Sequence, residues 1–109
     1  MKKTLELALY AVALYAIGSN SAIAQTVKTN IPGLVLKEFG CYGGNYVGNI
    51  VNRSNRSTQG TVHIKVFDRD GDPIGGCTSH VSLEPQSGDS FSAFNCNCDA
   101  GTKFSITVK

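Results

Sequence analysis

Beyond residue 33, hydrophobic and polar positions alternate along most of the chain, in runs too short for helices. Val62, Ile64 and Val66 share one side of a run whose other side is Thr61, His63 and Lys65; Phe104, Ile106 and Val108 alternate likewise with Ser105 and Thr107. A period of two is that of a strand with one buried and one wet face. No window after Gln25 sustains an apolar period of 3.6 residues. The pattern predicts strands over residues 34–39, 46–52, 61–67, 79–83, 90–96 and 103–108, with turn residues between them at 30–33, 43–45, 52–57, 68–73, 75–76, 84–88 and 99–101. Turns recurring roughly every eight to twelve residues predict an all-β chain, an immunoglobulin-like antiparallel β-sandwich of about six to seven short strands.

The first 24 residues depart from this pattern. Lys2 and Lys3 precede an apolar run from Leu7 to Ile17, followed by small and polar residues ending in Ala22-Ile23-Ala24. That order is the order of a cleavable signal peptide, and the run is well short of the roughly 20 residues a membrane-spanning helix needs. Cleavage after Ala24 leaves Gln25 at the new amino terminus and no membrane insertion. Residues 25–32 are read as an extended N-terminal arm and 33–109 as the sandwich domain, so one small domain is expected in a periplasmic or secreted setting. Residues 25–109 carry eight Lys and Arg against seven Asp and Glu. So even a balance gives no basic footprint for nucleic acid or anionic lipid.

All four cysteines, Cys41, Cys77, Cys96 and Cys98, lie in this exported part. An even count in a small secreted domain predicts two disulfides. Cys96 and Cys98 are one residue apart in a predicted strand, where their side chains share a face at a spacing awkward for bridging each other. One of them is therefore expected to pair with Cys77 and the other with Cys41.

Three stretches carry a family likeness. Tyr46-Val47-Gly48-Asn49-Ile50-Val51-Asn52-Arg53-Ser54 has a G-x-aliphatic-x-N-x-S strand. Val66-Phe67-Asp68 ends a second strand shortly before Gly71, and Leu83-Glu84-Pro85-Gln86-Ser87-Gly88 leads a corner to Phe91. Together they resemble the FxLYD domain family, small bacterial immunoglobulin-like β-sandwich modules of exported proteins, with Val66-Phe67-Asp68 standing where the family has Leu-Tyr-Asp. The corner carries an insertion before Gly88, and the four cysteines are not part of the family's usual pattern. The resemblance implies a sandwich fold and an accessory or interaction role, with no common active site.

The residues that could carry chemistry are few. Asp68, Asp70 and Asp72 place carboxylates at alternate positions, as calcium loops do, but Gly71 is the fourth residue of the run rather than the sixth and no acid follows at the twelfth position. A hairpin turn, with Asp side chains accepting local backbone N–H groups, explains the same residues. His63 alternates outward and His80 opens a strand; neither has the Ser or Cys and orienting acid that nucleophilic catalysis requires. No enzyme activity and no cofactor are expected. Asn52-Arg53-Ser54 and Asn55-Arg56-Ser57 are formal glycosylation acceptors, which in a bacterium, where the resemblance points, stay unmodified.

Tyr42, Tyr46, Arg53 and Arg56 are of the residue types enriched at contact hot spots, and are the expected contacts to a protein partner outside the cytoplasm. The first expectation is thus an exported, non-catalytic binding or accessory module of the bacterial cell envelope. The alternative is a secreted hydrolase inhibitor presenting a disulfide-held loop around Cys77 and residues 95–101. A calcium-dependent module ranks third.

Overall fold

A computed structural model describes residues 25–109; the expected signal peptide, residues 1–24, lies outside the described residues. The chain forms seven strands: β1 (Gln25–Lys28), β2 (Leu34–Tyr42), β3 (Asn45–Asn52), β4 (Thr58–Phe67), β5 (Pro73–Leu83), β6 (Ser87–Ala93) and β7 (Lys103–Val108). One 3₁₀ turn, Cys98–Ala100, precedes β7. A four-stranded sheet in the order β1-β2-β3-β6 faces a three-stranded sheet in the order β5-β4-β7, and every pairing is antiparallel. This is the expected all-β sandwich. Its first three strands form a meander in one sheet, so β2 and β3 are hydrogen-bonded neighbours, where the constant-domain immunoglobulin order divides the second and third strands between sheets.

The alternation seen in sequence becomes the core. Val62, Ile64 and Val66 of β4 and Phe104 and Val108 of β7 are buried against Leu34, Leu36, Phe39, Tyr46 and Ile50 of the opposite sheet. Phe39 sits at the centre of an aromatic cluster. It stacks on Tyr46 at 4.7 Å between ring centroids, meets Phe91 at 6.0 Å, and meets Phe104 of the other sheet edge-on at 5.5 Å. Strict alternation along β2 after Leu34 and Leu36 would turn Glu38 inward and Phe39 out. A bulge between Lys37 and Gly40, with Glu38 at φ 51°, inserts the extra residue that reverses this. Because the strand period is two, one such insertion moves Phe39 and Cys41 into the core and leaves Glu38 exposed.

Three expectations change. The N-terminal arm is extended, but residues 25–28 are a strand laddered to β2, and Asn30 holds the far side of the sandwich. Its Nδ2 donates to the Val108 carbonyl at 3.0 Å and its Oδ1 accepts the Val108 N–H at 2.7 Å, so its carboxamide stands in for a neighbouring strand on the open edge of β7. Gly75-Gly76 is not a turn but lies within β5. A Cβ on Gly75 would come 2.5 Å from the Cys96 carbonyl oxygen, so glycine is there to let the crossing loop approach. Finally, β6 covers residues 87–93 rather than 90–96, which takes Cys96 out of the strand.

Candidate functional site

The two ends of the sandwich are built differently, and the candidate contact residues divide between them. At one end the β2–β3 hairpin turns through Gly43 and Gly44, at φ 61° and 82°. Both values are left-handed, which a two-residue hairpin loop of the primed type requires. The exit of β6 is fastened beside this turn: the Asn95 N–H donates to Asn45 Oδ1 at 2.9 Å, and the Cys96 N–H to the Gly44 carbonyl at 2.9 Å. From there the chain crosses to the other sheet, and both disulfides hold the crossing. Cys77–Cys96 ties it to β5 of the three-stranded sheet, and Cys41–Cys98 ties it to β2 of the four-stranded one. The pairing is one of the two left open by the sequence.

Cys96 and Cys98 do not share a strand face. Asn95 and Asn97 adopt left-handed φ values of 60° and 59°, and this backbone turns the two fully buried cysteines toward different sheets. Asn is among the few side chains that tolerate this conformation, and Asn97 Nδ2 adds a 2.9 Å bond to the Ile74 carbonyl. The interleaved run Asn95-Cys96-Asn97-Cys98-Asp99 was the available sign of a turn.

Two large apolar side chains are exposed among the described residues, and both stand here: Tyr42 at 43 % and Phe94 at 64 %. Tyr42 pairs with Asn45, and the register that sets Tyr46 opposite Ala93 brings Phe94 beside Asn45 from the other side. Tyr42 and Phe94 thus flank one residue on the outer face of the sheet, two strand spacings or about 10 Å apart. Phe94 was missed in sequence, although its alternation with the inward Phe91 and Ala93 pointed it outward.

Tyr46 is not a contact residue. It is fully buried, stacked on Phe39, and its hydroxyl has no hydrogen-bond partner among the described residues. Alternation explains this: Tyr46, Ile50 and Asn52 share the inner face of β3. Burial raises the pKa of its phenol well above the ordinary 10.0.

The opposite end is closed without covalent links, by Asn52. This fully buried carboxamide donates to the Arg56 carbonyl at 2.7 Å and the Glu84 carbonyl at 3.1 Å. It accepts from the Ser54 N–H at 3.0 Å and the Ser54 hydroxyl at 2.7 Å. Every lone pair and proton of a buried amide needs such a partner. Burial and these bonds also remove Asn52 as a glycosylation acceptor in the folded chain. Gln86 Nε2 donates to the Arg53 carbonyl at 2.8 Å, and the Arg53 N–H donates to the Gly33 carbonyl at 2.8 Å. The backbone of the 53–56 loop is therefore pinned while Arg53 and Arg56 remain exposed. Since β3 runs from Asn45 to Asn52, Tyr42 and the two arginines lie at opposite ends of the sheet, roughly 25 Å apart. The structure does not join them into one patch.

The acidic turn at 68–72 lies at the disulfide-bonded end. Asp68 Oδ1 accepts the N–H groups of Asp70 at 2.9 Å and Asp72 at 3.0 Å, and Gly71 takes φ 87°, which is the hairpin arrangement. Carboxylate oxygens of Asp68, Asp70 and Asp72 lie within 4.8 Å of one another. His63 and His80 sit on the outer face of the three-stranded sheet, diagonal to each other across β4 and β5. A shallow depression of about 450 Å³ on the outer face of the four-stranded sheet is lined by Lys37, Glu38, Asn49, Val51, Gly88 and Asp89 among others, where Gly88 contributes no side chain. Among the described residues no helix is long and apolar enough to cross a membrane. Two disulfides are the mark of an oxidising compartment.

No family model matches the chain, and no curated protein or solved structure shows a significant match to it.

Proposed function

We propose that this chain is an exported, non-catalytic binding module of the FxLYD kind, periplasmic or secreted, that acts through protein–protein contacts at the end of the sandwich carrying the disulfides. The observation that carries this reading is the exposed pair of Tyr42, the last residue of β2, and Phe94, which leads into the crossing loop tied to both sheets. Exposed aromatics on a rigid frame bind with little ordering cost, and aromatic anchors are where contact energy concentrates. The same loop supports a second reading, a hydrolase inhibitor, because Phe94 projects immediately before the stapled residues 95–101 as a side chain that a cleft can take up.

Affinity capture from an envelope extract of the source organism, using the oxidised exported protein and its Phe94→Ala variant in parallel, tests both. A protein retained by the parent and lost with the variant is the expected result, and a hydrolase in that position selects the inhibitor. Equal retention by parent and variant removes the assigned surface.

A further inference from the structure

A sheet edge is a row of unpaired backbone groups, and native folds guard it with charges, prolines, bulges or covering chain. The two sheets have four edges, β1, β6, β5 and β7, and three of them are guarded. β1 is only four residues long, and its register shifts between Gln25 and Val27. In β6 the Asp89 carboxylate takes the Ser90 N–H at 2.8 Å, and in β7 the Asn30 carboxamide occupies both backbone groups of Val108. β5 is different. At 11 residues it is the longest strand, it holds no Lys, Arg, Asp or Glu, and its proline is its first residue. Its pairing with β4 runs without a shift from Leu83 to Gly75.

The phase of the ladder shows which groups are open. Thr61 exchanges both backbone bonds with Lys109, on the β7 side. By alternation Gly60, Val62, Ile64 and Val66 bond to β5, through Val81, Ser79, Cys77 and Gly75. The residues between these, from Ile74 to Ser82, therefore turn N–H and C=O to the open side. Asn97 agrees with this phase, donating to the Ile74 carbonyl at 2.9 Å, and covers that one residue. Gly76, Thr78, His80 and Ser82 are all exposed.

We infer that the β5 edge, from Gly76 to Ser82, is a second docking site, which takes an extended acidic segment of a partner protein as an added strand. It is separate from the Tyr42–Phe94 surface and does not depend on it. Main-chain pairing sets the shape of the occupant, and charge sets its composition. β4, β5 and β7 contain no Asp or Glu, while Lys65 and Lys103 alternate outward on this sheet with His63 and His80. The carboxylates around it are in the connections, Asp68, Asp70, Asp72, Glu84 and Asp99, and on β6, Asp89. Lys65 is paired with Gly76, which has no side chain, so a carboxylate opposite Gly76 on the added strand meets Lys65 across the glycine. On the inner side β5 and β6 border a cleft of only about 70 Å³ that Asp89 helps to line, so inward side chains of the occupant are small and uncharged. A second copy pairing through its own β5 would set one acid-free, lysine-bearing face beside another, which charge disfavours.

NMR on the ¹⁵N-labelled, oxidised exported protein reads the site residue by residue, with the probe acetyl-Glu-Val-Glu-Val-Glu-Val-Glu-amide titrated to about 5 mM at low salt. Saturable shifts and slowed exchange are expected at the amides of Gly76, Thr78, His80 and Ser82, while Cys77, Ser79 and Val81, already bonded to β4, stay protected throughout. Replacing each Glu of the probe by Lys is expected to weaken binding at least ten-fold, as is Lys65→Glu in the protein, and high salt reduces both differences. Thr78→Pro removes an open N–H where an edge tolerates proline, and is expected to abolish binding. Lys65→Glu changes only an exposed side chain and carries the test if the proline variant does not fold. Phe94→Ala is expected to bind the probe as the parent does. The absence of saturable shifts overturns the inference, as do shifts confined to β6 or β7, or equal binding of the lysine probe. Protection of the same four amides by rising protein concentration alone means that a second copy takes the edge, and overturns the acidic occupant.

Discussion

The two ends of this sandwich solve one problem, closing a small core where chain segments cross between sheets, by different chemistry. At the end bearing β2, β6 and the 3₁₀ turn, the crossing segment has little to bury beyond its cysteines, and two disulfides hold it. At the other end the β3–β4 connection folds over Asn52, whose four hydrogen bonds reach Ser54, Arg56 and Glu84. The covalent end tolerates an exposed Phe94 and a Tyr42, since its geometry does not depend on burying them. The polar end exposes arginines on a pinned backbone. Rigidity is common to both, and what each displays is opposite in kind.

Breaking the covalent end should have the largest effect. Replacing Cys41 and Cys98 by Ala opens a loop of 57 residues, for which chain entropy alone predicts a loss of about 4 kcal/mol, measured by urea unfolding. The Cys77–Cys96 pair closes only 19 residues and is expected to contribute about 3 kcal/mol. A larger loss from this pair than from Cys41–Cys98 would show that local geometry rather than loop length governs that end. Asn52→Ala is next, with an expected loss of about 2 kcal/mol, because it removes four hydrogen bonds from a fully buried position, takes one donor from each of the Arg56 and Glu84 carbonyls and leaves the Ser54 N–H without its acceptor. Amide exchange should speed up around residues 53–56 and 84–87 in that variant while residues 95–102 stay protected. Equal acceleration at both ends would mean that the ends are not independent units.

The smallest effect concerns the core between them. Tyr46→Phe removes a buried hydroxyl with no partner among the described residues and is expected to leave stability unchanged or raise it by up to about 1 kcal/mol at neutral pH. The sign above pH 10 follows from the raised pKa of the phenol. The folded state keeps the proton that the unfolded chain gives up, so the parent loses stability as pH rises past 10, by up to about 1.4 kcal/mol per unit. The phenylalanine variant lacks that slope, and unfolding curves of the two proteins should diverge between pH 10 and 12.

Much of the fold was readable in sequence because it depends on local patterning. The alternation in β4 and β7 marked both their existence and their inward residues, and a count of four cysteines sufficed for two bridges. The site was readable only in part. Tyr42 and Tyr46 look alike in sequence, four residues apart around a Gly-Gly turn, yet one is exposed and the other is the stacking partner of Phe39. The hairpin turn places Tyr42 on the outer face and Tyr46 on the inner one, and the pairing register decides that, not residue type.

By itself, then, the sequence determined the all-β class, the position of most strands, the oxidised cysteines and the outward set of β4, because side-chain period, turn chemistry and composition act over a few residues. Tertiary structure decided what depends on segments far apart in the chain. The bulge at Glu38 reversed the facing of half of β2, and the close passage of Cys96 over Gly75 made a glycine pair part of a strand. The two left-handed asparagines sent neighbouring cysteines to different sheets, and the direction of β3 set the aromatics and the arginines at opposite ends. Each of these is fixed by a contact between elements, and a pattern of residue types along one element does not specify it.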